Sequence, residues 1–271
     1  MNLKHRNNVS VMGNGPATLV FSHGFGCNQA MWNYMTPHFT ERFRVVMYDL
    51  VGAGLSDLSA FDKTKYAALG GYARDLNEII DVFASGPVIL VSHSVSAMIA
   101  TLADRLAPGR IAAHVMIGPS PRYIDDVGYV GGFKRSDIDD LLDTLDSNYL
   151  GWSSTMAPVI MGAPEQPALS AELSDSFCRT EPDIAKQFAR VTFMSDNRKD
   201  VIGLTTPVLI LQSRDDLIAP VAVGEYLHSV LPNSTYCLVD NVGHCPHMSA
   251  PEACTRAMDN FLAPWAMADV G

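Results

Sequence analysis

A serine flanked by small residues is the first feature that could carry chemistry. Val91-Ser92-His93-Ser94-Val95-Ser96 follows a short apolar run and precedes a segment with helical apolar spacing. A strand-to-helix turn of this kind exposes the serine Oγ above a sheet, as in the G-x-S-x-G nucleophile motif. Ser92 and Ser96 stand where that motif has glycines, so a serine-rich turn without catalysis is the alternative. We predict Ser94 as a nucleophile.

A glycine-rich segment nearer the amino terminus could stabilise negative charge. Ser22-His23-Gly24-Phe25-Gly26 follows an apolar run. Such a loop supplies one backbone donor of an oxyanion hole, and the residue after the nucleophile supplies the other. The candidate donors are the amides of Phe25 and Val95, and each is worth about 10²–10³ in rate. By itself the segment could also be a simple glycine-rich turn.

Acidic residues and a histidine follow the last two apolar runs, in the order that a Ser-Asp-His triad requires. Asp215 and Asp216 follow Pro207–Leu211, and Asp240 at the end of the last run is a weaker candidate. Because Asp215 and Asp216 are adjacent, only one of them can face a histidine. His244 is the predicted base.

Metal binding is the alternative for these histidines. His244 and His247 form an HxxH pair, but the sequence has no HExxH motif beside it. We therefore predict no metal site and no cofactor, and a structural or pocket-lining role for His247. His23 and His93 are expected to form hydrogen bonds or to pack near the site.

Short apolar runs alternate with stretches of helical spacing along most of the chain, which predicts an α/β fold. The runs lack polar alternation, which indicates strands of a mainly parallel sheet that is covered on both faces. Residues 69–83 and 95–106 show helical spacing, and Ser249-Ala-Pro-Glu252 is a capping-box pattern before a last helix. The predicted strands are Ala17–Ser22, Phe43–Tyr48, Pro87–Ser92, Ala113–Ile117, Pro207–Leu211 and Ser234–Val239.

The region between the fourth and fifth of these runs interrupts the alternation. It contains helical patterns, such as one from Ile138 to Tyr149 and another that Pro182 opens, but no clear strand. We predict one domain whose α/β core comprises residues 1–118 and 201–271. Residues 119–200 are predicted to form a helical cap, or lid, over the carboxyl edge of the sheet.

Charge and apolar content limit the possible partners. The 271 residues carry a formal net charge of −10 and are 48% hydrophobic, which is enough apolar material for a sizeable core. Nucleic-acid affinity depends on clustered Lys and Arg, so we exclude that partner, and the same charge disfavours an anionic membrane. The sequence shows no secretory or membrane-spanning segment and no CxxC pair, so a cytoplasmic location is expected.

Several segments resemble the RsbQ group of α/β-hydrolases, bacterial sigma-B regulators that are relatives of the plant strigolactone and karrikin receptors. The similarity runs essentially from end to end. It implies a cap of four helices in a V shape, and it selects Asp216 as the acid because that residue lies four positions before Pro220. The segments are Ser22-His-Gly-Phe-Gly-Cys-Asn28, Tyr48-Asp-Leu-Val-Gly-Ala-Gly54, Ser92-His-Ser-Val-Ser96, Gly118-Pro-Ser-Pro-Arg-Tyr123, Gly131-Gly-Phe133, Asn148-Tyr-Leu-Gly-Trp152, Pro207-Val-Leu-Ile-Leu-Gln212 and Gly243-His-Cys-Pro-His-Met-Ser249.

The resemblance implies an enclosed apolar pocket above the serine, although the cap aromatics could also form only the cap's own core. We expect a serine hydrolase acting on a small apolar ester or lactone. The alternative is a signalling protein or receptor that binds such a ligand, or hydrolyses it slowly, and regulates a phosphatase-type partner through the cap. A catalytically inactive binding module is disfavoured because all triad positions are filled. By position, the pocket residues are Phe25, Tyr123, Phe133, Leu141, Trp152, Met156, Phe177, Phe193, Ile218 and Cys245.

Overall fold

Seven strands form one sheet in the computed structural model, which describes residues 2–266. All six predicted strands are present with similar bounds. The additional first strand is short and partly exposed, so no apolar run marks it in the sequence. The strands are β1 (Ser10–Met12), β2 (Thr18–Ser22), β3 (Arg44–Tyr48), β4 (Val88–His93), β5 (Ala113–Ile117), β6 (Val208–Asp215) and β7 (Ser234–Val242).

The strand order places the predicted site residues at one edge. The order is β1-β3-β2-β4-β5-β6-β7. β1 is antiparallel to β3, and the other neighbouring strands are parallel. Because parallel strands end at the same edge, the loops after β2, β4, β6 and β7 open on the same side of the sheet.

Apolar side chains are buried on both faces of the sheet, which explains why the strand sequences do not alternate. Phe21 and Val91 belong to one apolar cluster, and Val20 and Leu90 belong to the other. No helix within residues 2–266 has the length and apolarity needed to cross a bilayer. The helices are α1 (Leu3–Arg6), α2 (Leu69–Phe83), α3 (Ser96–Leu106), α4 (Arg135–Ser147), α5 (Tyr149–Met161), α6 (Pro167–Arg179), α7 (Pro182–Phe193), α8 (Arg198–Val201), α9 (Val221–Val230), α10 (Pro246–Ser249) and α11 (Pro251–Leu262).

Helices α4 to α7 lie between β5 and β6, within the predicted cap. α5 packs along α6, and α4 contacts α7. The single helix predicted through Tyr149 is wrong, because Asn148 ends α4 and caps α5 by accepting the Gly151 amide hydrogen. Pro182 begins α7 as predicted. The division at residues 118/119 and 200/201 stays a prediction, and α8 crosses its second boundary.

The capping box predicted at Ser249 is also wrong. α10 ends at Ser249, and Ala250 separates it from α11, which begins at Pro251. The Ser249 hydroxyl instead donates to Asn241 Oδ1 at 2.8 Å. This serine therefore supports the loop that follows β7.

Candidate active site

Ser94 occupies a strained turn between β4 and α3. Its φ is +57°, and Asn8 is the one other non-glycine residue with positive φ among residues 2–266. The left-handed region costs an L-residue roughly 1–2 kcal/mol, so the surrounding structure must hold Ser94 there. Its amide donates to the carbonyl of Ile117 on the adjacent strand at 2.9 Å. The turn is the strand-to-helix geometry that the sequence predicts.

Replacement of Ser94 by glycine should relieve backbone strain. Glycine adopts positive φ without a Cβ clash, so the free energy of unfolding of Ser94→Gly should be about 1 kcal/mol above that of Ser94→Ala, which loses the same hydrogen bonds. Thermal or urea unfolding measures the difference. Ser96→Gly and Ser96→Ala are the matched pair at a helical position, where the glycine variant should be the less stable one. An unfolding free energy of Ser94→Gly below that of Ser94→Ala would contradict the strain interpretation.

The serines at the two motif glycine positions have acceptors for their hydroxyl groups. Ser92 Oγ donates to the Val115 carbonyl at 3.4 Å, and Ser96 Oγ donates to the His23 carbonyl at 2.5 Å. Both side chains are fully buried, where an unpaired hydroxyl would be costly. Serine fits these positions because neighbouring backbone accepts each hydroxyl.

Ser94, His244 and Asp216 form one chain of hydrogen bonds. Ser94 Oγ lies 2.8 Å from His244 Nε2, and His244 Nδ1 lies 2.7 Å from Asp216 Oδ2. Because a carboxylate accepts, His244 carries its hydrogen on Nδ1 and leaves Nε2 to accept the serine proton. Asp216 Oδ1 accepts the amides of Ile218 and Ala219 at 2.8 and 3.0 Å, which holds the carboxylate in one orientation.

The structure separates Asp216 from the other acidic candidates. The Asp215 side chain is exposed, although its backbone carbonyl accepts the Gly243 amide hydrogen at 2.7 Å. Asp240 is 91% exposed and pairs with Arg214 on the surface. Of the three acidic candidates, Asp216 is the one bonded to His244.

Helix α5, which lies in the predicted cap, contacts the loop that carries His244. The His244 amide donates to the carbonyl of Ile160 in α5 at 2.8 Å. A Cβ on Gly243, whose φ is +98°, would lie 2.0 Å from the carbonyl oxygen of Met161. Glycine is therefore required where the end of α5 meets this loop, and cap and core are joined beside the predicted base.

The two predicted oxyanion donors have free amides. Neither Phe25 N–H nor Val95 N–H donates to a protein acceptor within residues 2–266. Val95 precedes the first residue of α3, where the helix dipole favours negative charge. A Cβ on Gly24 would lie 3.2 Å from Ser94 Cβ, so the glycine-rich loop approaches the serine closely. These amides can accept a developing oxyanion, and that role stays a prediction.

A small cavity of about 60 Å³ opens onto Ser94 and His244. All ten residues predicted from the resemblance line it, namely Phe25, Tyr123, Phe133, Leu141, Trp152, Met156, Phe177, Phe193, Ile218 and Cys245. The remaining lining residues, which the prediction did not include, are Cys27, His93, Ile160, Leu173 and Thr192. Ile160 and Leu173 lie on apolar helix faces, and that pattern does not separate a cavity wall from a helix core.

The polar groups of the cavity are few. Tyr123 Oη lies 3.3 Å from Ser94 Oγ, and the Thr192 hydroxyl is buried with no partner within residues 2–266. Burial raises the pKa of Tyr123, and it raises the pKa of Cys27 to about 12. Burial also raises the pKa of Cys245 well above its usual value. The two thiols therefore stay protonated, and Ser94 remains the candidate nucleophile.

The two histidines of the HxxH pair have different surroundings. Both ring nitrogens of His244 are hydrogen-bonded, one to Asp216 and the other to Ser94. Among the described residues, the group whose side chains could hold a metal ion is His93, Cys245 and His247, with ligand atoms within 4.8 Å of one another. His23 Nε2 accepts the Leu50 amide hydrogen at 3.0 Å, so His23 has the structural role that was predicted.

An α/β sheet with a strained serine, a histidine and an aspartate at its carboxyl edge has the architecture of the α/β-hydrolases. Residues 19–257 match the family model described as Alpha/beta hydrolase family. The chain belongs to that family, and the predicted fold is confirmed.

Similar proteins include a plant receptor, a plant esterase and a hydrolase of solved structure. The chain is 37% identical to Karrikin insensitive 2 receptor CA of Petunia hybrida, over 92% of this chain and 93% of the receptor. It is 38% identical to a strigolactone esterase of Arabidopsis thaliana, over 90% of this chain and 91% of the esterase. The solved structure of a hydrolase from Oleispira antarctica has a TM-score of 0.92 and 40% sequence identity, and the match covers 97% of this chain and 96% of the hydrolase. The predicted relationship to the plant receptors is confirmed.

Proposed function

We propose that the protein hydrolyses a small, uncharged ester or lactone through an acyl-enzyme on Ser94. The observation that carries this proposal is the hydrogen-bonded chain from Asp216 through His244 to Ser94, which ends at an apolar cavity. Such a chain activates a hydroxyl that is otherwise a weak nucleophile. Phe25 and Val95 would supply the oxyanion hole.

The proposed reaction has two halves. Ser94 Oγ attacks the carbonyl carbon while His244 Nε2 takes its proton, and Asp216 stabilises the resulting imidazolium. The carbonyl oxygen becomes an oxyanion that accepts hydrogen bonds from the Phe25 and Val95 amides. The bond to the leaving oxygen breaks, and His244 returns the proton to that oxygen. A water molecule, deprotonated by His244, then attacks the acyl carbon. The bond between that carbon and Ser94 Oγ breaks, His244 returns the proton to Oγ, and the acid is released.

The cavity favours an uncharged and compact substrate. None of its lining residues is Asp, Glu, Lys or Arg, and most are aliphatic or aromatic. An ionised group entering this space would lose hydration without a counter-charge, which is strongly unfavourable. The rings of Phe177 and Phe193 lie 5.7 and 5.9 Å from that of Phe25. This aromatic wall would pack against a flat or short-chain acyl group.

Shortening Met156 should extend the range of acyl chains. Met156 lines the cavity from α5 and is only half-buried, so Met156→Ala should open space with a modest loss of stability. The ratio of kcat/KM for p-nitrophenyl octanoate to that for the acetate should rise about tenfold. Val159→Ala on the exposed side of the same helix should leave the ratio unchanged. An equal ratio in wild type and Met156→Ala would exclude Met156 from the acyl site.

Covalent labelling tests the proposed function directly. A fluorophosphonate probe should label the protein once, with the added mass on the peptide that contains Ser94. Short-chain p-nitrophenyl esters should be hydrolysed, and labelling should abolish their turnover. Absence of both labelling and turnover would exclude a serine hydrolase.

A ligand-dependent signalling role is the second candidate, favoured by the relatives named as receptors. Here the protein would bind or slowly hydrolyse its ligand and contact a phosphatase-type partner through α4 to α7. A slowly cleaved ligand should then shift the melting temperature and change hydrogen exchange in these helices. A high turnover number with no such change would favour a metabolic esterase.

A further inference from the structure

Three buried imidazole rings lie together beside the predicted nucleophile, and the proposed reaction uses one of them. The ring centroids of His93 and His244 are 4.8 Å apart, and those of His93 and His247 are 4.5 Å apart. His247 also packs on Trp32 at 4.8 Å. All three histidines are at least nineteen-twentieths buried. The contacts of one of the other two, His93, indicate a role for it.

His93 donates a hydrogen bond to the backbone of the predicted base. His93 Nε2 lies 2.9 Å from the carbonyl oxygen of His244. A carbonyl only accepts, so His93 carries its hydrogen on Nε2 and leaves Nδ1 as a lone pair. The Nδ1 edge faces Gly24, where a Cβ would lie only 2.6 Å away. The ring is therefore held between the glycine-rich loop and the loop that carries His244.

This bond completes the anchoring of His244. Its amide donates to Ile160 in the cap, and its carbonyl accepts from His93, so both backbone polar groups have a partner. Because His93 immediately precedes Ser94, one residue connects the turn of the nucleophile to the loop of the base. We propose that His93 is a positioning residue that fixes the His244 imidazole relative to Ser94 Oγ through the His244 carbonyl. This inference rests on the proposed hydrolase function.

Burial keeps the neighbouring imidazoles neutral. It lowers the pKa of His93 well below its usual value and the pKa of His247 to about 3. When His244 accepts the serine proton, no second positive charge stands beside it. His93 thus keeps one hydrogen-bond donor of constant charge through the reaction cycle.

Three substitutions of His93 separate positioning from simple packing. Glutamine can place an amide nitrogen near the position of Nε2, whereas leucine removes the donor and asparagine is too short to reach. His93→Leu and His93→Asn should lower kcat by about 10- to 100-fold with KM within about twofold, as expected for small misplacement of a reacting group. His93→Gln should restore kcat to within about threefold of wild type. Equal losses in the glutamine and asparagine variants would overturn the proposal, even if the leucine variant does not fold.

A histidine elsewhere in the sheet supplies the control for stability. His114 is fully buried and bonds to Asp104, which also accepts from Thr206. His114→Leu should lower the melting temperature but leave kcat of the folded enzyme unchanged. A fall in kcat as large as that of His93→Leu would make the effect one of general stability and overturn the proposal.

A spectroscopic measurement distinguishes this proposal from the proposed function. The His244 Nδ1–H proton, held by Asp216, should give a far-downfield resonance in wild type and in His93→Gln, and a shifted or broadened one in His93→Asn. This result would support positioning even if no ester were hydrolysed, and an unchanged resonance in His93→Asn would overturn it.

Chelator treatment tests a metal-binding role for His93, Cys245 and His247. Unaltered activity is expected. A loss of activity that zinc restores would assign the cluster to a metal instead and overturn the proposal.

Discussion

Ser94→Ala should lower kcat for a short-chain p-nitrophenyl ester by about 10⁴-fold or more. The substitution removes the oxygen that would form the acyl-enzyme in the proposed reaction, and we expect no other nucleophile to take its place. Burial raises the pKa of both cavity thiols, Cys27 and Cys245. The Tyr123 hydroxyl is likewise held in its protonated form. The residual rate would come from attack by water on the bound ester, with the Phe25 and Val95 amides stabilising the resulting oxyanion.

The fold should be nearly unaffected by Ser94→Ala. Alanine keeps the same backbone strain at φ +57°, and the change removes the 2.8 Å hydrogen bond to His244 and the longer 3.3 Å one to Tyr123. The melting temperature should therefore stay within about 4 °C of wild type. Steady-state kinetics measures the residual rate, with a fluorophosphonate-treated sample as the blank. Equal turnover by wild type and Ser94→Ala would show that another group carries out the chemistry.

Asp216→Asn should cause the second large loss, about 10⁴-fold in kcat with little change in KM. The asparagine can still accept the Ile218 and Ala219 amides through its oxygen. Its amide group then faces His244 Nδ1 as a donor. His244 must carry its hydrogen on Nε2 instead, so it cannot accept the proton of Ser94. The side chain at position 216 keeps its place, but the His244 imidazole is in the wrong tautomer.

Asp215→Asn is the matched control for this change. Asp215 is adjacent in sequence, but its side chain is exposed and does not contact His244. Its role in holding Gly243 uses the backbone carbonyl, which the substitution leaves unchanged. kcat of Asp215→Asn should stay within about twofold of wild type. If Asp215→Asn lost as much activity as Asp216→Asn, the assignment of the acid would be wrong.

Local sequence patterns predicted most of the sheet, for a physical reason. Strands such as β4 are buried on both faces, so their apolar residues are consecutive rather than alternating, and the signal is contained in a few neighbouring residues. β1 escaped prediction because it is short and half-exposed at an edge. The helix break at Asn148 was not predicted because apolar spacing continues across it. The N-cap of α5 is a single side-chain hydrogen bond, from the Gly151 amide to Asn148 Oδ1.

Parts of the site were predictable because parallel strands bring their carboxyl ends together. The position of Ser94 after β4 and of His244 after β7 follows from that topology. The cavity wall was predicted from the resemblance, since apolar periodicity alone does not show whether Trp152 faces a cavity or another helix. Thr192 was missed because nothing in its local sequence indicates a buried hydroxyl without a partner.

The sequence by itself determined the α/β architecture, the helical insertion, the serine turn, the glycine-rich loop and the histidine after the last strand. Each of these depends on residues that are close together in the chain. Tertiary structure decided the contacts between distant segments. It oriented Asp216, which the family resemblance but not the local pattern had selected over Asp215, toward His244. It also anchored the His244 loop to α5 and brought His93 to the His244 carbonyl. These contacts join segments that lie between 28 and 151 residues apart in the chain, and local residue patterns carry no information about which of these segments meet at the sheet edge.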